Sequence, residues 1–305
     1  MVVFLRSGLH TEGRIYGYLL LLPAVALYTL LVVWPIIHSI VLSFQDWNGF
    51  APDRNWVGFQ NYTDALQNVR FWRAFLNNLI WGALSVIPVG IGLVIAVVLY
   101  MNKIWGSAFF RVSFLLPFTL SGVLTGIIWG WIYNPEWGTI NTILRGLGLD
   151  ALARPWLAEP GISLIAANLV GGWTWFGFCM VIFLAGLQSI PDEIYDAAKI
   201  DGASSFQLFT RITVPLLGTY VRMLTIVTII FSFKVFDLIF VMTQGGPFQT
   251  SEVLGFVIYQ FAFTQWKIGL ASAIGIILTI IVLLASMFSV RREEGYCCPV
   301  VESSG

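Results

Sequence analysis

Residues 191–216 read Pro-Asp-Glu-Ile-Tyr-Asp-Ala-Ala-Lys-Ile-Asp-Gly-Ala-Ser-Ser-Phe-Gln-Leu-Phe-Thr-Arg-Ile-Thr-Val-Pro-Leu, a polar insert between two long apolar runs. A chain that needed only a loop there could use a few residues. This insert instead holds a helix-like run, a turn at Gly202, a second helix-like run and a proline stop at Pro215. Gly202 can take a positive φ without steric cost, which permits a sharp turn between two short helices. Asp201 is placed to cap the following segment, residues 203–210, at its N-terminus. Ala197, Ala198, Gly202 and Ala203 are small enough for a second body to approach closely. From these residues alone the insert is either a helix that seats in a groove of another protein or an amphipathic helix lying in the membrane interface.

Composition fixes the solvent of the flanking runs. Charged residues make up 10% of the 305 residues and apolar ones 58%, with a mean hydropathy of +0.83. A soluble domain carries roughly 25% charged residues, so this chain belongs in a bilayer. A spanning helix needs about 20 apolar residues, and six segments qualify. Residues 15–45, 74–102, 112–135, 160–191 and 268–290 hold no Lys, Arg, Asp or Glu, whereas residues 219–243 contain Lys234 and Asp237. No alternating ten-residue pattern points to a membrane β-barrel. The expected fold is an all-α membrane protein of six transmembrane helices. Its organisation is a segment 1–14, a six-span domain 15–290 with the polar loop at 190–217, and a tail 291–305. The first apolar run exceeds a signal-peptide core and lacks a clear cleavage site, so it reads as a retained helix.

Six spans put both termini on one side, with the 190–217 loop. That side carries nine Lys and Arg, against six on the other, which favours termini inside by the positive-inside rule. Net charge is zero and no basic run points to nucleic acid. Cys179 lies in a span, and Cys297 with Cys298 fit a reduced cytoplasmic tail or a lipidated one; no disulfide framework follows. Pro23, Pro35, Pro88 and Pro117 lie inside apolar runs and predict kinks rather than breaks. The outer loops near residues 44–75, 134–159 and 244–266 are aromatic, as in Trp47-Asn48-Gly49 and Asn134-Pro135-Glu136-Trp137-Gly138. Such rings serve an interfacial belt or a docking surface, and one residue can do both.

Lys234 and Asp237 are the formal charges deep in a span. Each costs about 2.5 to 3.5 kcal/mol on insertion scales, so a partner or a water-filled cavity is expected. On a continuous helix they share a face with each other, with Val241 and, a turn later, with Gln244. That face is either a structural ion pair or the wall of a pathway. The preceding span offers a second face, Gly171, Trp175 and Phe178, with Asn168 and Thr174 adjacent. Trp175 falls mid-span, away from any interface belt. Aromatic rings with a few polar groups suit a sugar, whose CH faces stack and whose hydroxyls need partners; helix–helix packing is the alternative.

Two motifs carry a resemblance. Asp196-Ala197-Ala198, Gly202 and then Ile212-Thr213-Val214-Pro215 match the spacing of the cytoplasmic "EAA" loop of ABC importer permeases, with Asp for Glu at 196 and Val for Leu at 214. Phe233-Lys234-Val235-Phe236-Asp237-Leu238-Ile239, followed by Met242-Thr243-Gln244-Gly245-Gly246-Pro247, resembles the carbohydrate branch of that family. The resemblance implies a type I ABC importer fold in a bacterial or archaeal plasma membrane, both termini cytoplasmic. It further implies a second homologous permease, with family habit favouring a heterodimer, two ATPase subunits and an extracytoplasmic sugar-binding protein. Glu193, Asp196, Ala197, Ala198, Asp201, Gly202, Ala203, Ile212 and Pro215 would then couple to the ATPase. Gly171, Thr174, Trp175, Phe178, Lys234, Asp237 and Gln244 would line the substrate pathway. Maltose-type relatives carry amides where this chain has Lys234 and Asp237, so the identity of the sugar stays open.

None of the four lysines follows a glycine, so the chain has no P-loop. His10 and His38 are the only histidines, and no His-Glu-x-x-His, clustered cysteine set or Gly-x-Ser-x-Gly occurs. The chain therefore reads as a transport subunit with no cofactor of its own; ATP and Mg are expected on the partner. Glycerol-phosphate or another polyol-like solute is the nearest alternative cargo. An ion-coupled secondary carrier using Lys234 and Asp237 is the rival of another class.

Overall fold

The computed structural model describes residues 9–101 and 104–294. The expectations on Cys297 and Cys298, on the charges Arg6 and Lys103, and on residues 1–8 and 295–305 lie outside the described residues. Four helical runs are long and apolar enough to cross a membrane, Leu19–Leu42, Val69–Met101, Ser163–Leu187 and Ile268–Met287. Two more are bent pairs, Ser107–Thr119 with Gly122–Ile132 at 100° and Ser205–Leu216 with Gly218–Phe233 at 68°. Counting each bent pair as one span gives the six expected.

The breaks have local causes. After Ser107–Thr119, Leu120 is extended and Ser121 caps the next helix by accepting from Leu124 N. Pro117, in the turn before, has no N–H to hold the ladder. The kink predicted for Pro117 is thus a break. Pro35 follows a π turn at Thr29–Val33 within a continuing helix, as a missing donor predicts. Near Pro88, Ser85 separates Val69–Leu84 from Val86–Met101, yet the two run on as one span. The largest departure lies in residues 219–243. There the helix Gly218–Phe233 stops after 16 residues, roughly 24 Å and short of the apolar core. A three-residue break, 234–236, follows before the short helix Asp237–Met242.

The described residues form two compact units, one from residues 9–67 with 261–276 and the other from residues 68–260 with 277–294. In the first, a two-stranded ladder pairs Gln45 with Trp56 and Asp46 with Asn55. Asn61 donates to the carbonyls of Ser43 and Gln45, and the Arg54 guanidinium lies 4.3 Å over the Trp47 ring. Trp47 therefore also folds its own turn, beyond the belt and docking roles expected of it.

In the second unit, the run Val86–Met101 packs along Ser163–Leu187 in a cluster with Cys179, Met180, Phe183 and Leu187 at its centre. Lipid tails are as apolar as Leu, so close backbone approach, not water exclusion, holds such helices together. Gly92 supplies it: a Cβ there would sit 2.8 Å from the Cys179 Cβ and from the Phe176 carbonyl. A second cluster, with Trp81, Ala167, Val170 and Ile239, joins Val69–Leu84 to the short helix Asp237–Met242. The two clusters frame the sites that follow.

Candidate functional site

The polar insert folds as two helical legs around Gly202. The first leg, Asp192–Ile200, has Asp192 and Glu193 in its first turn and Lys199 in its last, the order that complements the helix dipole. It closes as a Schellman motif: Gly202 N donates to Lys199 O and Ala203 N to Ala198 O, each at 3.0 Å. Gly202 holds φ +77°, the positive value expected of it. Asp201 does not cap the second leg; it is the C-terminal cap residue of the first. Ser204 caps instead, in a capping box with Gln207, accepting from Gln207 N while Gln207 Oε1 accepts from Ser204 N. The Ser-x-x-Gln spacing signals this in the sequence and outcompetes Asp201 because it satisfies two donors at once. Pro215 does not itself stop the leg. The leg runs on to Leu216 through a π turn at Leu208–Thr213, where the missing Pro215 N–H releases the ladder. The 68° bend falls at Leu217.

Tyr195 and Leu208 bury the insert's inner face in the cluster that also holds Leu99 and Leu187, and the buried Thr213 donates to Leu208 O beside them. Ala198, Ala203 and Ile212 pack beside them. Ala197, Glu193 and Asp196 face outward, with Ile200 87% and Phe206 74% exposed. The Asp196–Lys199 pair at 3.1 Å is mostly exposed and contributes little. Ser204→Ala should remove about 1 kcal/mol from the second leg. Amide exchange should then accelerate at Gln207 and Leu208 and stay unchanged across Ser163–Leu187.

The broken span opens a cavity of about 250 Å³ in the second unit. Gly171, Trp175, Lys234 and Asp237 line it, as expected. Only part of the shared helical face exists, however. Lys234 is the C-terminal cap of Gly218–Phe233 and Asp237 begins the next helix, so Lys234 and Gln244 fall off the expected face, while Asp237 and Val241 keep it, packed against Gly122 and Gly126. No ion pair joins Lys234 to Asp237 among the described residues. Each charge instead sits at the helix end that favours it, the ammonium at a C-terminus and the carboxylate at an N-terminus. Asp237 also lies against the start of Gly122–Ile132, where a Cβ on Gly122 would come within 3.2 Å of its Oδ2. Lys234 Nζ lies 5.8 Å from the Phe231 ring centre.

Trp175 is set by a hydrogen bond from Nε1 to Thr228 Oγ1 at 2.8 Å, and Thr228 in turn donates to Leu224 O. Phe178 does not line the cavity but packs 5.1 Å from the Trp175 ring and stacks on Phe118, which lies 5.9 Å from Trp175. Thr174 turns back to Gly171 O. Gln244 lies in the exposed loop beyond, at φ +50°. The lining also takes Trp81, Ser85, Thr228 and Ser232, which the sequence reading passed over. Their i, i+4 spacings, Trp81 to Ser85 and Thr228 to Ser232, were the available signal. The result is an aromatic wall with hydroxyls and one charge of each sign.

Residues 88–292 match the family described as the binding-protein-dependent transport system inner membrane component. The chain belongs to that family. It is therefore an ABC importer permease, a multi-pass inner-membrane transport component and not itself the catalyst. It is 35% identical to a probable ABC transporter permease, YurN of Bacillus subtilis, over 92% of this chain and 96% of that protein. It is 31% identical to the diacetylchitobiose uptake system permease NgcF of Streptomyces coelicolor, over 88% of this chain and 80% of that one. Its fold is that of a chain of a bacterial transporter that imports the acidic polysaccharide alginate, at a TM-score of 0.81 and 23% identity, with 95% and 98% of the two chains covered.

Proposed function

We propose that this permease is one membrane half of an ATP-driven importer of a carbohydrate, and that the cavity at residues 234–237 lies on the sugar's path. The observation that carries the reading is the lining itself: Trp81, Trp175 and Phe231 offer ring faces beside Ser85, Thr228 and Ser232 hydroxyls. That mixture suits stacking on CH faces with hydrogen bonds to sugar hydroxyls. The diacetylchitobiose relative supports the same class. The cavity is below the roughly 300 to 1,000 Å³ of complete ligand pockets, which fits a pathway completed by a second permease, most simply a different one. The insert at residues 190–217 docks on an ATPase pair, which holds the ATP and Mg. Both termini are cytoplasmic on this reading, in keeping with the Lys and Arg balance. Family membership removes the ion-coupled carrier. Glycerol-phosphate or another polyol-like solute is the second cargo reading, with Lys234 the one cation in a lining that also carries Asp237.

The permease co-purified with its partners and placed in liposomes should take up one member of a panel of mono-, di- and trisaccharides, a uronate and glycerol-phosphate. Uptake should require both ATP and the binding protein. Uptake that persists without ATP and follows an ion gradient would remove the reading.

A further inference from the structure

One face of the helix Val69–Leu84 joins the loop at residues 243–254 to the cavity. Near its start, Arg70 makes a two-pronged ion pair with Glu252, which is 2% exposed and 182 residues away in sequence. Two turns on, Asn77 donates to Thr250 O at 2.9 Å and Glu252 O at 2.7 Å. Its neighbour Asn78, fully buried, accepts from Leu254 N at 2.9 Å and donates to Ser232 O at 2.7 Å. Ser232 lines the cavity and stands one residue before the helix end at Phe233. A turn beyond, Trp81 and Ser85 line the same cavity. The face thus runs about 16 Å from Arg70 to Trp81.

The loop it holds is strained. Gln244, Phe248 and Gln249 all have positive φ, at 50°, 52° and 63°, and Phe248 is 85% exposed at the tip. Such backbone persists only where its surroundings over-determine it, and the buried pair and the two amides supply that. If the 190–217 insert meets the ATPase, this loop faces the other side of the membrane, where a binding protein arrives.

We propose that Asn78 and the Arg70–Glu252 pair are positioning residues that transmit binding-protein contact at the 243–254 loop to the cavity wall, Asn78 by bonding both at once. The proposal rests on the cavity being the sugar's path. The test uses the full complex in liposomes with its co-purified ATPase and binding protein and the solute selected by the uptake panel. Asn78→Leu is close in size and loses both bonds; Asn78→Asp keeps the acceptor for Leu254 N and loses the donor to Ser232 O. In both, basal ATP hydrolysis and the binding-protein concentration at half-stimulation should hold, while maximal stimulation and uptake fall about tenfold, within the usual range of coupling. Wild-type stimulation in the Leu variant, or a basal rate that falls in step with stimulation, would overturn the relay. Trp175→Ala, run alongside, separates the two readings. Normal uptake by it and by Asp237→Asn removes the cavity, whereas loss there with normal Asn78 variants removes only the relay.

Discussion

Gly202→Val is expected to cut ATP-driven uptake by at least about tenfold while the permease still inserts and purifies with its partners. The cause is backbone, not bulk. Nothing lies within 4 Å of a Cβ placed on Gly202, so no clash forbids a side chain. Its φ of +77° does: an L-residue in the left-handed region costs about 1 to 2 kcal/mol, and a β-branched one is a genuine outlier there. Relief requires the turn to open, which breaks the donation from Gly202 N and Ala203 N to the first leg. The second leg then rotates, taking Ile200 and Phe206 out of the relative position that a groove on the ATPase would need. About 1.4 kcal/mol of mispositioning is already a factor of ten. Asparagine visits the left-handed region readily, so Gly202→Asn should retain most uptake. Equal uptake by the Val and Asn variants, measured in the same liposomes, would show that the turn plays no part in coupling.

The legibility of this chain in its sequence followed the range of the interactions. The six apolar runs, the two-legged insert and the positive φ at Gly202 depend on composition and local stereochemistry, and all were readable. Asp201 is near enough to cap the second leg, but the Ser204–Gln207 box, itself a local signal, takes that place. Lys234 and Asp237 line a cavity, but not by way of the continuous helix that their spacing suggests. Helical periodicity cannot see that residues 234–236 leave the helix. The two charges come instead at opposite helix ends, and the break brings Asp237 against Gly122, more than a hundred residues earlier. Trp81 and Ser85 reach the cavity, and Asn77 and Asn78 the 243–254 loop, only through tertiary pairing of separated spans. The i, i+4 spacing of Trp81 and Ser85 marks a shared face without saying what it meets, and no single-segment pattern sets Asn77 and Asn78 apart from other polar residues in apolar runs.

Trp175→Ala should have the second large effect, lowering uptake about tenfold or more while binding-protein-stimulated ATP hydrolysis persists. Truncating an aromatic anchor in a packed site commonly costs about 2 kcal/mol or more, and here the ring is held on three sides. Phe118 and Phe178 pack on it, Phe231 lies 5.3 Å away, and Thr228 takes its indole N–H. Part of that cost is structural, since Trp175 packs beside the core of Cys179 and Met180, so the alanine variant alone does not isolate the sugar contact. Trp175→Phe keeps a ring and drops the indole donor. Thr228 still donates to Leu224 O at 2.7 Å, so no buried donor is stranded and the phenylalanine variant should keep most uptake. Asp237→Asn completes the series, because it preserves the close packing against Gly122 and removes only the charge. If the carboxylate contacts the solute, Asp237→Asn should raise the apparent KM for uptake with assembly and basal hydrolysis unchanged. Transport equal to the unaltered permease in both Trp175→Ala and Asp237→Asn would place the sugar's path away from this cavity, and with it the role of the break at residues 234–236.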